Sequence, residues 1–326
     1  MNIASDLFTS SIKFQVLSKN AILKIKKRFP EVKIINTESQ YFKRKISDIE
    51  VYWGNRLNLK NIKKMHNLKW VHYGSTGIDQ KILKYANANN IMVTNTKRIF
   101  DNAVVSTTMS FIFMLARGIN YSFILRNKKK LNRIFYNKIT KNIQNVFDQK
   151  ILLVGFSEIG KKIAKICHSM NMEITVVKNN ILKNKINFKI YKLNQLNLAV
   201  KGQDYVINLL PFTKKTENIF DKKIFSNMKD SSFFINVGRG DTVNEDHLID
   251  ALKKKKILGV ATDVVKNEPI SSNSKLLKFD NVIATPHIAG ISNDYWEKEY
   301  ELFSNNLNEF LKFKKLKNSL KSKIGY

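Results

Sequence analysis

Short apolar runs of strand length alternate with stretches of helical period along most of this chain. In the first third, Ile12–Leu17, Val32–Ile35, Ile49–Trp53, Leu68–Tyr73 and Ile91–Val93 read as strands. Between them Ala21–Arg28, Leu59–His66 and Lys81–Ala88 repeat their apolar positions at helical spacing. Strands buried on both faces show continuous apolar runs, so the alternation predicts a parallel sheet covered by helices, the α/β class. Ala103–Ile119 is apolar on most sides and predicts a buried helix, with Asp101 and Asn102 able to cap its start and Gly118 marking its end. Tyr121–Gln149 is basic and aromatic without a clean period, and reads as an arm or connector. The alternation then resumes: Tyr205–Leu210, Phe233–Val237, Gly259–Val265 and Val282–Ala284 read as strands, Phe220–Met228 and Glu245–Lys254 as helices. A final helix carries Trp296, Tyr300, Phe303, Leu307 and Phe310 on one face, and the basic tail from Lys312 onward is expected to fray.

The stretch Ile151–Lys178 joins strand, glycine turn, helix and second strand in one run. Gly155 and Gly160 bracket the turn, and Ile159, Ile163 and Ile166 share a helical face. A helix start of this kind offers unpaired N–H groups and the positive end of the helix dipole to a phosphate. The pattern departs twice from the dinucleotide fingerprint G-x-G-x-x-G followed by an acidic residue. Ser157 replaces the second glycine, and Lys178 stands where the acid belongs. Taken alone, the match also fits an ordinary βα turn.

Length and composition narrow the picture. The 326 residues suffice for two domains with separate cores. Cys167, the single cysteine, excludes an intrachain disulfide and suits a reducing cytoplasm. No apolar stretch reaches the length of a membrane span, and Met1–Phe14 shows no secretory pattern. The formal charge of +31 raises the possibility of nucleic-acid binding. Only 8 of the 57 basic residues are arginine, however, and the lysines are scattered among asparagine and isoleucine. A solvated basic surface that attracts anionic substrates fits this distribution better than a nucleic-acid site.

Three residues at predicted strand ends complement one another. Arg239 offers a planar fork for a carboxylate, His287 can exchange a proton near neutrality, and Glu268 can orient and stabilise its imidazolium. Reduction of a 2-oxo acid requires this set together with a hydride donor. Each residue alone has a plainer reading, as a surface arginine, a loop glutamate or a strand-terminal histidine. Their common placement, after strands that follow the glycine turn, favours the chemical one.

The segments LPFTKKTENIF, FFINVGRGDTVNEDHLIDAL, GVATDVVKNEP and NVIATPHIAG resemble, in order, signatures of the D-isomer-specific 2-hydroxyacid dehydrogenases. LKWVHYGSTGIDQ, IMVTNT and AVVSTTMSFIFMLAR resemble the family's first-domain segments, so the similarity runs from about Leu68 to Gly290. The resemblance implies two doubly wound parallel-sheet domains, a Rossmann-type dinucleotide-binding domain (99–290) inserted into a flavodoxin-like substrate domain (1–98 plus 291–326). It implies that Arg239 anchors the substrate carboxylate, with backbone groups of Thr76 and Gly77 at its other end, and that His287, paired with Glu268, protonates the carbonyl oxygen. The cofactor would meet Gly155, Ser157, Glu158, Ile159 and Gly160 at the turn, and Lys178 and Asn179 at the next strand end. Leu210, Pro211 and Val237 would line its path, with Asp263 near the nicotinamide carboxamide and His287 and Gly290 completing the set. No metal is implied.

Several features refine this expectation. Glu268 speaks against the formate dehydrogenases, which place glutamine beside the histidine. Ser106 and Thr107 replace the Glu-His common in the family. Lys178 cannot accept hydrogen bonds from a ribose 2′-hydroxyl but can pair with a 2′-phosphate, with Asn179 and Asn180 as further donors, so NADP(H) is expected over NAD(H). The substrate is then a small 2-oxo acid of the glyoxylate or hydroxypyruvate kind, with Trp53, Arg56 and His72 as candidates for its side-chain pocket. Family members are typically homodimers. The competing reading is a corepressor-like protein of the same fold that binds dinucleotide with little turnover.

Overall fold

The computed structural model describes residues 1–8, 16–139, 143–179 and 188–320. The chain divides into two compact units, residues 1–100 with 291–326, and residues 101–290. Both are α/β, and both sheets are parallel throughout, as the alternating pattern predicts.

In the first unit, β1 (Asn2–Ser5), β2 (Lys33–Asn36), β3 (Val51–Gly54), β4 (Trp70–Tyr73) and β5 (Met92–Asn95) assemble in the order β2-β1-β3-β4-β5, the flavodoxin-like order. Helices α1 (Lys19–Arg28), α2 (Gln40–Arg44), α3 (Leu59–Ile62) and α4 (Gln80–Ala88) connect them. Successive strand side chains alternate between two apolar layers. Ala4, Tyr52 and Val71 enter one with α3 and α4, while Ile3, Val51, Trp53 and Trp70 enter the other with α1 and Phe303. The first strand is β1; most of the predicted strand Ile12–Leu17 lies outside the described residues.

The second unit opens with α5 (Asp101–Arg117), α6 (Ile119–Asn127) and α7 (Arg133–Ile139), so much of the stretch read as a connector is helical. Asp101 and Asn102 lie in the first turn of α5, and both meet the Lys162 ammonium, Asn102 Oδ1 at 2.8 Å and Asp101 Oδ2 at 3.8 Å. Gly118, at φ +61°, separates α5 from α6. Next come β6 (Lys150–Val154), α8 (Glu158–Ser169), β7 (Glu173–Val177), β8 (Lys189–Tyr191), α9 (Leu196–Ala199), β9 (Tyr205–Asn208), α10 (Lys222–Asn227), β10 (Phe233–Asn236), α11 (Glu245–Lys253), β11 (Gly259–Thr262) and β12 (Val282–Ala284). The sheet order is β12-β11-β10-β9-β6-β7-β8. Numbered within the unit this is 7-6-5-4-1-2-3, the Rossmann arrangement with an added strand. Helices α5 and α8 cover one face and α9, α10 and α11 the other, each over its own apolar layer. The order of connection reverses between β6 and β9, and the crevice outside their carboxyl ends is where such sheets take ligands.

Finally α12 (Tyr295–Leu311) returns to the first unit, burying Phe303 and Leu307 completely. No single helix among the described residues is long and apolar enough to cross a membrane.

Candidate active site

At the carboxyl end of β6 the chain turns through Gly155, φ +100°, where an added Cβ would stand 3.1 Å from the Leu209 backbone. At Gly160 a Cβ would press 3.0 Å from the Gly155 carbonyl oxygen. The two glycines let α8 start close against β6 and β9, so the first amides of α8 open beside the switch point. Ser157 is the N-cap residue of α8, and its side chain makes no capping bond. Its exposed hydroxyl and the N-terminal amides of α8 suit a pyrophosphate. Glu158 turns away to Lys161 Nζ at 2.8 Å, and Ile159 packs on the core.

Lys178 follows β7 directly and is half-buried; its ammonium lies 6.0 Å from the centre of the Phe156 ring. It has no carboxylate partner among the described residues, which leaves a cation at the position that meets a ribose in this fold. Asn179 Oδ1 accepts from Leu193 N at 3.4 Å, leaving its amide group able to donate. Asn180 lies outside the described residues.

The ends of β9, β10, β11 and β12 carry the rest. Asn208 and Asn236, both buried, close the turns after β9 and β10 by accepting from the backbone two residues on: Leu210 N to Asn208 Oδ1 at 3.1 Å, and Gly238 N to Asn236 Oδ1 at 3.1 Å. Asn208 Nδ2 also donates to Asn236 Oδ1 (2.9 Å) and to Thr242 Oγ1 (2.7 Å), and Thr242 Oγ1 donates to the Arg239 carbonyl (2.6 Å). This buried network holds Leu210, Pro211 and Arg239 in one frame. Gly240 is required by contact, since a Cβ there would fall 2.0 Å from the Val265 backbone. Arg239 is half-buried, its Nη1 donates to the Gly238 carbonyl at 2.7 Å, and among the described residues it meets no carboxylate. Val237 packs against the core beside it.

His287 Nδ1 lies 2.6 Å from Glu268 Oε2, and Glu268 Oε1 accepts from Val265 N at 3.3 Å. With Nδ1 engaged, Nε2 is the ring atom left for a substrate. His287 sits at φ +53°, a conformation a side chain other than glycine adopts at a cost, so something must hold it there. Asp263, only 3% exposed, does so. Its carbonyl oxygen accepts from His287 N (2.8 Å), Oδ1 from Thr285 Oγ1 (2.6 Å) and Ile288 N (2.8 Å), and Oδ2 from Ala289 N (2.9 Å). Sequence reasoning assigned Asp263 to the nicotinamide carboxamide and missed this loop-holding role, because its partners, two backbone amides and a hydroxyl, lie more than 20 residues away. Thr107 donates to the Ala289 carbonyl at 3.3 Å, so the departure from the family's Glu-His ties α5 to the same loop, next to Gly290.

In the first unit, Ser75–Gly77 follow β4. Asn95 Nδ2 donates to the Thr76 carbonyl at 2.8 Å, and Ser75 Oγ donates to that of Gly77 at 2.9 Å. Two of the three pocket candidates are corrected. Trp53 and His72 are fully buried beneath α12, where Glu299 receives Trp53 Nε1 at 2.8 Å, so neither can meet a ligand. Arg56 remains exposed at the end of β3, its Nη2 on the Asp6 carbonyl at 2.5 Å.

A family model described as D-isomer specific 2-hydroxyacid dehydrogenase, NAD binding domain, matches residues 109–289. The chain belongs to the D-isomer-specific 2-hydroxyacid dehydrogenases. This dehydrogenase is 30% identical over 230 residues to a probable 2-ketogluconate reductase of Dictyostelium discoideum, covering 70% of the chain and 68% of that protein. It is 28% identical over 245 residues to glyoxylate/hydroxypyruvate reductase B of Escherichia coli, covering 73% of each. Among solved structures, the NADPH-dependent glyoxylate/hydroxypyruvate reductase of Sinorhizobium meliloti shares the fold with a TM-score of 0.80 at 20% identity, covering 98% of both chains. As a member of this family the dehydrogenase is an oxidoreductase that moves a hydride between a nicotinamide cofactor and a 2-oxo or 2-hydroxy acid.

Proposed function

We propose that this dehydrogenase reduces a small 2-oxo acid, of the size of glyoxylate or hydroxypyruvate, to the D-2-hydroxy acid with NADPH as the preferred cofactor. The observation that carries the reading is the His287–Glu268 pair at 2.6 Å, on the same sheet edge as an arginine with no carboxylate partner among the described residues. The bound nicotinamide supplies the hydride. Arg239 grips the substrate carboxylate through its guanidinium fork, and Thr76 and Gly77 offer backbone groups for substrate binding in the first unit. His287 donates the proton on Nε2 to the carbonyl oxygen as negative charge develops there. Glu268, on Nδ1, fixes the ring's direction and leaves Nε2 for the substrate. Asp263 keeps the histidine turn in place during the exchange.

Supporting the cofactor preference, Lys178 stands at the end of β7 without a carboxylate partner among the described residues. The Escherichia coli and Sinorhizobium meliloti relatives named as glyoxylate/hydroxypyruvate reductases support the substrate class, and the latter is itself NADPH-dependent. A homodimer in the cytoplasm, free of nucleic acid and membrane, belongs to the same proposal. The cofactor test is a comparison of initial rates with NADPH and NADH: the wild type is expected to prefer NADPH, and Lys178→Asp to move the ratio at least about tenfold toward NADH, the worth of one charged hydrogen bond. Preference for NADH by the wild type, or no change in the variant, overturns the assignment.

A further inference from the structure

The C-terminal helix α12 lies along β4 in a matched register. Phe303 stacks on Trp70 with ring centres 5.2 Å apart, Glu299 Oε1 lies 3.3 Å from His72 Nε2, and the Tyr295 hydroxyl donates to the Gly74 carbonyl at 2.9 Å. Helix positions 295, 299 and 303 thus meet position 74, just past β4, and strand positions 72 and 70, in reverse order. Four helical residues advance about 6 Å and two strand residues about 6.6 Å, so the pairing holds step for step.

An apolar helix on an apolar strand could slide by a turn without losing much contact area. The polar pair in the middle prevents this. His72 and Glu299 are both fully buried, and a one-turn slip would take Glu299 Oε1 away from His72 Nε2 and from its donor Trp53 Nε1, leaving a carboxylate in an apolar layer. Both are held from the other side as well. Trp53 Nε1 donates to Glu299 Oε1 at 2.8 Å, and Thr94 Oγ1, which accepts from Trp70 Nε1 at 2.9 Å, lies 2.7 Å from His72 Nδ1. Phe303 adds a stack on Trp53 at 4.0 Å.

The first turn of α12 ends at the loop after β4. Gly74 permits the close approach, since a Cβ there would already stand 3.3 Å from the Tyr295 hydroxyl. Burial and the nearby Glu299 push the Tyr295 phenol well above its ordinary pKa, so it stays protonated and donates throughout the working pH range. Across the loop, Asn95 holds the Thr76 carbonyl, and Thr96 N reaches the Ser75 carbonyl at 3.4 Å.

We propose that Tyr295 and Glu299 are positioning residues for substrate capture: the buried His72–Glu299 pair sets the register of α12 on β4, and Tyr295 thereby fixes the backbone turn whose Thr76 and Gly77 offer backbone groups to the oxo acid. The substrate half of this inference rests on the function proposed above. The register half does not.

The test is Tyr295→Phe in the full-length protein, with Glu299→Gln as a second variant that keeps the side-chain volume. Hydrogen exchange is read by mass spectrometry at residues 74–77 and on β3 and β4. KM and kcat for the oxo acid that the wild type reduces fastest, and Kd for NADPH, are measured alongside. Both variants should speed exchange at 74–77 while β3 and β4 stay protected. KM should rise by about three- to tenfold, the range for one lost neutral hydrogen bond, with kcat and cofactor Kd changed by less than about twofold. Unchanged exchange at 74–77 in folded variants overturns the register lock whether or not the enzyme turns over. Faster exchange with unchanged KM, or with KM and cofactor Kd rising together, overturns the role in capture. A wild type that reduces no oxo acid refutes the proposed function instead, and exchange alone then decides the lock.

Discussion

Asp263→Asn removes one acceptor from the centre of the histidine turn while hardly changing its shape. In the wild type, Asp263 Oδ1 receives the Thr285 hydroxyl and Ile288 N, and Oδ2 receives Ala289 N at 2.9 Å. An asparagine must place its NH2 at one of these oxygens. The cheaper orientation leaves Oδ1 as an acceptor and turns the NH2 toward Ala289 N, a buried donor facing a donor. Leaving one such group unsatisfied costs about 1–3 kcal/mol, and weakening the remaining charge-assisted bonds adds roughly 1 kcal/mol. For a unit of this size the sum of about 2–4 kcal/mol corresponds to a melting temperature lower by about 4–16 °C. Without its brace the turn can release His287 from φ +53°, and a displacement of about 1 Å at an acid group lowers kcat by up to roughly a hundredfold. Thermal unfolding by circular dichroism and steady-state turnover below the transition provide the two readouts. Asp263→Ala, which orphans Ile288 N as well as Ala289 N, should lose more stability than Asp263→Asn. A folded Asp263→Asn variant with the wild-type melting temperature and kcat would refute the bracing role.

His287→Gln should lower kcat by at least about a hundredfold with cofactor Kd nearly unchanged, whereas Arg239→Ala should mainly raise the KM of the oxo acid; steady-state kinetics with a cofactor titration separates the two. Cys167 is fully buried, and burial pushes its thiol up to about 12. A water-soluble disulfide reagent at pH 8 should therefore leave the native protein unlabelled and label it at one site per chain once denatured, so rapid labelling of the native protein would contradict the packing of α8.

What could be read from the chain follows from how local each constraint is. Gly155 and Gly160 are legible because a tight turn and a close helix approach exclude side chains at fixed spacing. Arg239, Glu268 and His287 stand out as candidates because each follows a short apolar strand and carries a distinct chemistry. The strand β1 escapes because it spans four residues, two of them polar, and its burial comes only from neighbours on both sides. Helices α6 and α7 escape because Ile119, Phe123 and Ile134 are exposed, which blurs the contrast between their faces. Trp53 and His72 look like pocket residues only until α12, more than 220 positions away, covers them. The sequence pattern thus reveals constraints that act within a turn or a strand, while contacts between distant segments decide which polar groups face a ligand.

The most direct test of the proposed function follows the nicotinamide absorbance while glyoxylate, hydroxypyruvate, pyruvate and longer 2-oxo acids are each offered with NADPH and with NADH. The proposal predicts oxidation of NADPH with at least one of the short oxo acids, faster than of NADH and abolished in His287→Gln. Absence of oxidation with every acid and both cofactors would contradict it and leave a dinucleotide-binding protein of this family without turnover.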